Sequence, residues 1–290
     1  MRQEKKSERS FFYLTLAITP GMLNSMLDGI NTMKILVCVK QVPESEIPIH
    51  IDAPAGWIQT DAIPEFKMNR LDEFAVEEAL LIKESIADAR IDVITVGPDR
   101  CEDVVRRAMG MGADSGAFIQ TVSDKYQSPG EIAAAIADFA HDKNYALILT
   151  GAMSEDSMQG QVGPMLAARL GFPWATSVIF EKIASDQKSI YVEREIEGGH
   201  RDTLELKLPA IITLQSGINT PRWPSLSNLL RANSQELAKI SISDPAKPCQ
   251  VEQLAELVYP EKRRAGLILS GSIQSKAARL LTIFREKSLL

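Results

Sequence analysis

The chain has 290 residues, 45% hydrophobic and 24% charged, a globular balance that excludes a disordered polypeptide. Thirty-two Lys and Arg against 38 Asp and Glu leave a net charge of −6, so no basic excess exists to neutralise a phosphate backbone. Aromatic residues make up only 6%, too few for base-stacking platforms, and nucleic-acid binding is excluded as the main function.

The start, MRQEKKSERSFFYLTLAITPGMLNSMLDGINT, has a charged opening and the short apolar run Phe11–Ile18. It imitates a signal peptide, but no clear A-x-A cleavage site precedes a folded segment. Four readings of residues 1–32 stand, in this order: a start set too far upstream, a disordered extension, a cleaved signal and a membrane anchor. Met33 begins MKILVCVK, and Ile35–Val39 suits a strand buried on both faces. Lys40–Pro64 is Pro-rich, with a hairpin expected around Ala55-Gly56. Glu73–Ala87 has helical apolar spacing. Ile91–Val96 is a strand, Cys101–Met109 a helix stopped by Gly110 and Gly112, and Gly116–Thr121 a strand. Pro129–Asp142 is a helix with Ser128 as N-cap, and Ala146–Thr150 a strand. A polar loop, Gly151–Gly160, leads into a helix at Gln161–Leu170. Ala175–Lys182, Ser189–Ile196, Thr203–Lys207 and Ala210–Leu214 are strands.

The β-α alternation from Met33 to Gly171 predicts an α/β fold with a doubly wound parallel sheet and helices on both faces. From about Ser216 the prolines predict an irregular arm, ending in a helix at Ser275–Glu286 that is best stabilised by packing on another chain. The expected divisions are 1–32 (extension), 33–232 (α/β domain) and 233–290 (arm and helix).

The residue pattern carries no catalytic constellation. Cys38, Cys101 and Cys249 form no C-x-x-C, and His50, His141 and His200 are scattered, so neither a disulfide framework nor a metal site is expected. There is no G-x-S-x-G, and Glu193 and Glu195 alternate on a strand in the manner of solvated side chains. No apolar run reaches the ~18 residues of a membrane span, and the chain reads as cytoplasmic. Walker A and G-x-G-x-x-G are missing too. The informative loop is Gly151–Gly163, at the C-terminal edge of a parallel sheet and beside a helix N-terminus, where backbone N–H groups and the helix dipole favour phosphate. Phosphate binding and an ordinary Ser/Asp helix cap stand at even odds on spacing alone. Asn69 and Asp72, at another helix start, read first as N-caps. Trp223 and Leu226, in a Pro-rigid loop, have the character of an exposed apolar anchor for a partner.

The segments MKILVCVKQVP, MNRLDEFAVEEAL, AMGMGAD, GAMSEDSMQGQVGP, VEREIEGGHRDTLELKLPAIIT and NTPRWPSLSNLLRA occur in this order. Together they resemble the electron transfer flavoprotein beta subunit family, the FixA-like small subunits, from Met33 to about Ala232 and more weakly beyond. The resemblance implies a Rossmann-like sheet of the adenine nucleotide alpha hydrolase kind. It implies a heterodimer with an alpha subunit that holds most of a FAD, and AMP (or a second FAD in electron-bifurcating members) in the beta subunit. Electrons would come from flavoprotein dehydrogenases such as acyl-CoA dehydrogenases. They would leave to electron transfer flavoprotein–quinone oxidoreductase or another acceptor.

By position, the resemblance assigns Cys38 and Val96 to the wall of the nucleotide site, and Asn69 and Asp72 to its base or ribose. Gly151 to Val162 become the phosphate loop, with Ser154, Asp156, Ser157 and Gln161 as hydrogen-bonding residues. Glu195 would meet the flavin domain, and Leu226 would anchor dehydrogenases. The loop departs from the common family pattern at Met153-Ser-Glu-Asp and from the bifurcating pattern at Ser157-Met-Gln-Gly-Gln, which favours AMP over a second FAD, and Trp223 replaces a more usual tyrosine. A stand-alone adenine-nucleotide-binding module of universal-stress type and a scaffold that binds nothing are the rival readings.

Overall fold

A computed structural model describes residues 32–52, 56–121, 124–241, 252, 254–260 and 266–289. The expectations for residues 1–31, for Ala55 and for Cys249 lie outside these. The chain divides into two compact units, one running to Ala255 and the other Glu256–Leu290.

The first unit is built on a nine-stranded sheet. Strand β1 (Lys34–Cys38), well inside the sheet, is buried along four of its five residues. Because strand side chains alternate in direction, Ile35 and Val37 point into one apolar cluster, and Leu36 and Cys38 into another. Helices α1 (Arg70–Ser85) and α2 (Glu102–Met111) close the first face, through Val76, Ala79, Val105 and Ala108. Helices α3 (Pro129–Ala140) and α4 (Val162–Leu170) close the second, through Ala133, Ile136, Leu166 and Ala167. A doubly wound sheet with helices on both faces is therefore what the alternation produces. Helix α3 starts at a full capping box: Ser128 Oγ accepts from the Glu131 N–H, and the Glu131 side chain accepts from the Ser128 N–H, as S-x-x-E predicts.

Parallel pairing joins β1 to β6 (Arg90–Gly97) on one side and to β8 (Leu147–Gly151) on the other. Strand β7 (Ser115–Gln120) follows β6 outward. The chain moves from β1 to β6 to β7, then crosses back through α3 to β8, so the order reverses between β1 and β8. Short antiparallel pairs, β2 (Gln41–Pro43) with β5 (Phe66–Met68) and β3 (Ile51–Asp52) with β4 (Trp57–Ile58), occupy the segment between β1 and α1. The second pair flanks the position where the hairpin is expected.

Beyond β8 the structure is richer than a purely parallel sheet. Strand β9 (Trp174–Ile183) pairs antiparallel with β10 (Ser189–Ile196), which pairs antiparallel with β11 (His200–Lys207). Strand β12 (Ala210–Leu214) inserts between β8 and β9, parallel to both. All five of its residues are buried, which an apolar run such as AIITL satisfies only inside a sheet. The segment after Ser216 is also more regular than an arm. Ser225 caps α5 (Leu226–Ser234), its Oγ accepting the Asn228 N–H at 3.2 Å. Strand β13 (Ala238–Ser241) then adds to β7 in parallel. The α/β unit thus continues past residue 232. In the second unit, Ser272 caps α6 (Ile273–Glu286), none of whose residues is buried.

Candidate functional site

In open α/β sheets, ligands bind beyond the C-terminal strand ends where the strand order reverses. Here that point lies between Cys38 of β1 and Gly151 of β8, and a cleft of about 1350 Å³, counting its solvent-open mouth, begins there. Cys38, Asn69, Asp72, Val96, Gly151, Ser154, Asp156, Ser157 and Val162 all line it. Gln161 does not: it is the exposed residue before α4, and its carbonyl accepts the Met165 N–H at 3.0 Å.

Asp72 joins the two strand ends. Its Oδ2 accepts the Lys40 N–H at 2.7 Å and its Oδ1 the Gly151 N–H at 2.9 Å. Asn69 binds the loop beyond, donating from Nδ2 to the Met153 carbonyl at 3.0 Å and accepting the Glu155 N–H on Oδ1 at 3.0 Å. Neither makes the helix cap expected of it; Asn69 has no side-chain cap hydrogen bond. Both are almost fully buried, and both spend their polar atoms on backbone of the 151–155 segment or of β1's end. Gly151 is required by this contact, because a Cβ there would run into Asp72 Oδ1 and sit 2.8 Å from Leu71 Cβ. At Gly163, in the first turn of α4, a Cβ would run into Thr213 Cγ2, so glycine lets the helix start approach the sheet edge.

Lys40 and Asp156 complete the loop. Lys40 Nζ meets Asp156 at 2.7 Å, and Asp156 Oδ1 accepts the Ser157 N–H at 2.7 Å. Burial raises the Asp156 carboxyl, but the Lys40 charge and the hydrogen bonds outweigh it and hold the group below the usual carboxylate range. An ionised carboxylate only accepts hydrogen bonds, so Asp156 orders the loop, while donors come from Ser154, Ser157 and the first-turn N–H groups of α4, which have no intrahelical partner. The two serine hydroxyls lie 2.8 Å apart.

The inner wall is apolar: Cys38, Ile94, Val96 and Ile136. Burial, then the nearby Asp72 charge, pushes the Cys38 thiol far up, which leaves it neutral and unreactive. Burial likewise pushes Cys101 up to about 12. Thr95, whose side chain points to the opposite face of β6 from Ile94 and Val96, is 1% exposed, and its Oγ1 has no hydrogen-bond partner among the described residues. A buried hydroxyl without a partner is costly. At the outer rim, Arg100 pairs with Asp124 through both guanidinium nitrogens and lies 4.4 Å from the Phe66 ring centroid. Trp57 packs on Tyr126 with centroids 5.6 Å apart. An apolar slot next to a helix N-terminus can take a flat apolar ring and an anionic group side by side.

Lys40, Thr95 and the rim residues escape a sequence reading. Lys40 and Thr95 had a signal, since each sits at the C-terminal end of a strand; Trp57, Phe66 and Asp124 had none.

Glu195 and Leu226 do not line the cleft. Glu195 is exposed on β10, opposite Arg201 of β11. Leu226 opens α5 at 73% exposed, with Trp223 at 83% and Leu230 at 63%.

The family model for the electron transfer flavoprotein domain matches residues 57–245. The mitochondrial electron transfer flavoprotein subunit beta of Arabidopsis thaliana is 34% identical over 240 residues, 82% of this chain and 94% of its own. The subunit beta of Bacillus subtilis is 30% identical over 88% of this chain and 99% of its own. That of Bos taurus is 32% identical over 73% and 82% respectively.

Proposed function

The chain belongs to the electron transfer flavoprotein family as a beta-type subunit, and from that premise we propose that it pairs with an alpha-type subunit and holds AMP in the cleft at the strand reversal. The pair carries electrons from flavoprotein dehydrogenases to a quinone reductase or similar acceptor. FAD, held mainly by the alpha subunit, supplies the one- and two-electron chemistry when bound. This chain's residues bind, orient and exclude water, and no general acid or base is asked of them.

The observation that carries the reading is the double clamp on the 151–161 loop: Asp72 to Lys40 and Gly151, and Asn69 to Met153 and Glu155. It presets the N-terminus of α4 for an anion, beside the apolar slot for the base. AMP is favoured over a second FAD by the loop sequence from Met153 to Gln161. Leu226 is the anchor for dehydrogenases, Glu195 faces the flavin-bearing partner domain, and α6 packs on the alpha subunit. We place the pair in the cytoplasm; among the described residues no helix is long and apolar enough to cross a membrane.

The test is co-expression with an alpha-type subunit, followed by absorbance at the flavin bands and mass spectrometry of nucleotide released on denaturation. The expected result is a yellow one-to-one pair releasing AMP and FAD. A colourless pair, or a homodimer loaded with ATP, would overturn the reading, the latter in favour of a universal-stress-type module.

A further inference from the structure

The exposed side chains of Trp223 and Leu226 gain nothing from burial within this chain, so their direction must be set by neighbours. The 219–226 loop is pinned to α1 at two points. Asn219 Nδ2 donates to the Phe74 carbonyl at 3.0 Å and to Glu78 Oε2 at 2.7 Å. Arg222 then makes four hydrogen bonds to Glu77, one from its backbone N–H at 3.0 Å and three from Nε and Nη2 at 2.8–3.1 Å. Its Nη1 reaches Glu84 at 2.7 Å. Glu77 is only 4% exposed, so this is a forked, charge-assisted pair with the carboxylate inside the protein. One helical turn earlier, Glu73 holds Arg107, whose guanidinium carbon lies 5.3 Å from the Trp223 ring centroid. Glu73, Glu77 and Glu84 are spaced by four and seven residues and share one face of α1.

Pro221 and Pro224 flank Arg222-Trp223 and restrict the backbone there. Fixing both the amide and the guanidinium of Arg222 therefore fixes the direction of Trp223 and the entry into α5 at Leu226. We propose that Glu77, through its forked pair with Arg222, is a positioning residue that holds the Trp223–Leu226 docking loop in its partner-binding pose. The proposal rests on the reading of Leu226 as the dehydrogenase anchor. Glu77 touches no partner; it removes the ordering cost a flexible loop would meet on docking.

The test uses the full chain co-purified with its alpha-type subunit. Glu77→Gln keeps the shape and the packing but removes the charge. Arg222→Lys keeps the charge but loses the fork, and serves if the first variant folds poorly. Hydrogen exchange of the 222–230 amides is expected to rise in either variant, with protection elsewhere and flavin content as in the wild type. With an acyl-CoA dehydrogenase charged with octanoyl-CoA as donor, its KM for the pair should rise about tenfold, with kcat within about twofold. Reduction by dithionite, which needs no docking, should keep its rate. A general loss of stability would instead raise exchange throughout and lower flavin content. Wild-type exchange at 222–230 in both variants would overturn the proposal, as would raised exchange with an unchanged KM in a donor that Leu226→Ala impairs. If Leu226→Ala leaves the donor unimpaired, the docking reading fails, and the exchange measurement still decides the latch.

Discussion

Thr95 carries a residue-scale consequence. Its side chain is buried at the end of β6 with Oγ1 unpartnered among the described residues, a cost of about 1–3 kcal/mol if nothing else meets it. Thr95→Val removes the hydroxyl at nearly constant volume. The nucleotide-free protein is expected to gain about 1 kcal/mol in urea unfolding. A loss of stability instead would mean that the hydroxyl is satisfied. Asp72 carries a second residue-scale consequence. Burial pushes its carboxyl up to about 7, against the opposing pull of the Lys40 and Gly151 N–H groups and the Asn69 side chain. A folded-state value above the unfolded one means that the native protein binds the extra proton, so this group's contribution to stability falls as pH rises from about 4 to 7. Unfolding midpoints measured across that range should drop for the wild type relative to Asp72→Asn. A pH-independent difference would return the carboxyl to its ordinary range. Asp72 and Asn69 stand out in the sequence as polar residues at a helix start, but their partners do not. The Gly151 and Glu155 amides that they bind lie 79 and 86 residues away, a separation no local pattern encodes.

At the scale of elements, the loop between β8 and α4 depends on side chains outside itself. Its own internal bonds, Ser154 N–H to the Gln159 carbonyl at 3.3 Å and Met158 N–H to the Ser154 carbonyl at 2.8 Å, form a small turn without an anchor. Asn69 supplies the anchor through two hydrogen bonds. Asn69→Ala leaves the Met153 carbonyl and the Glu155 N–H without that partner, and should cost about 1–3 kcal/mol. Raised hydrogen exchange at 153–158 and faster AMP release are the expected signs; unchanged exchange there would assign the loop's order to its other ties, Lys40–Asp156 and Asp72–Gly151 among them. The same scale explains which elements can be read in advance. Strands β1, β6 and β8 are apolar runs buried on both faces, and their helices carry a 3.6-residue period, so the doubly wound core is visible without coordinates. Strand β12 has the same apolar signature, but its place between β8 and β9 is fixed by pairing with residues more than 30 positions away. Helix α5 escapes because Pro221 and Pro224 dominate the local pattern. Its formation depends on Ser225 as cap and on Arg106, whose Nη1 donates to the carbonyls of Ala232 at 2.7 Å and Asn233 at 3.1 Å, closing the helix from another element.

For the whole molecule, a cleft that sits on the strand reversal couples ligand to fold. Its lining comes from β1, β6, β8, α1, α3 and α4 and from the 41–66 excursion, so a ligand seated there bridges strands and helices from both faces of the sheet, and unfolding the unit must release it. Linkage then sets the size of the effect: a ligand at 100 times its Kd stabilises by about 2.7 kcal/mol, and each kcal/mol moves Tm by about 2–4 °C at this size. Stripping nucleotide from the purified pair should lower its Tm by several degrees, and added AMP should restore it in a concentration-dependent way. Replacing Asp156 and Ser157 together removes the Lys40 tie and a hydroxyl donor, so the AMP-dependent shift should shrink while the nucleotide-free Tm changes less. Added FAD is the discriminating arm. The loop departs from the bifurcating pattern at Ser157–Gln161, so FAD in excess of the alpha subunit's requirement should give no shift of its own. A saturable FAD shift that AMP abolishes would assign the cleft to a second flavin, and no shift with either nucleotide would separate the cleft from adenylate binding altogether.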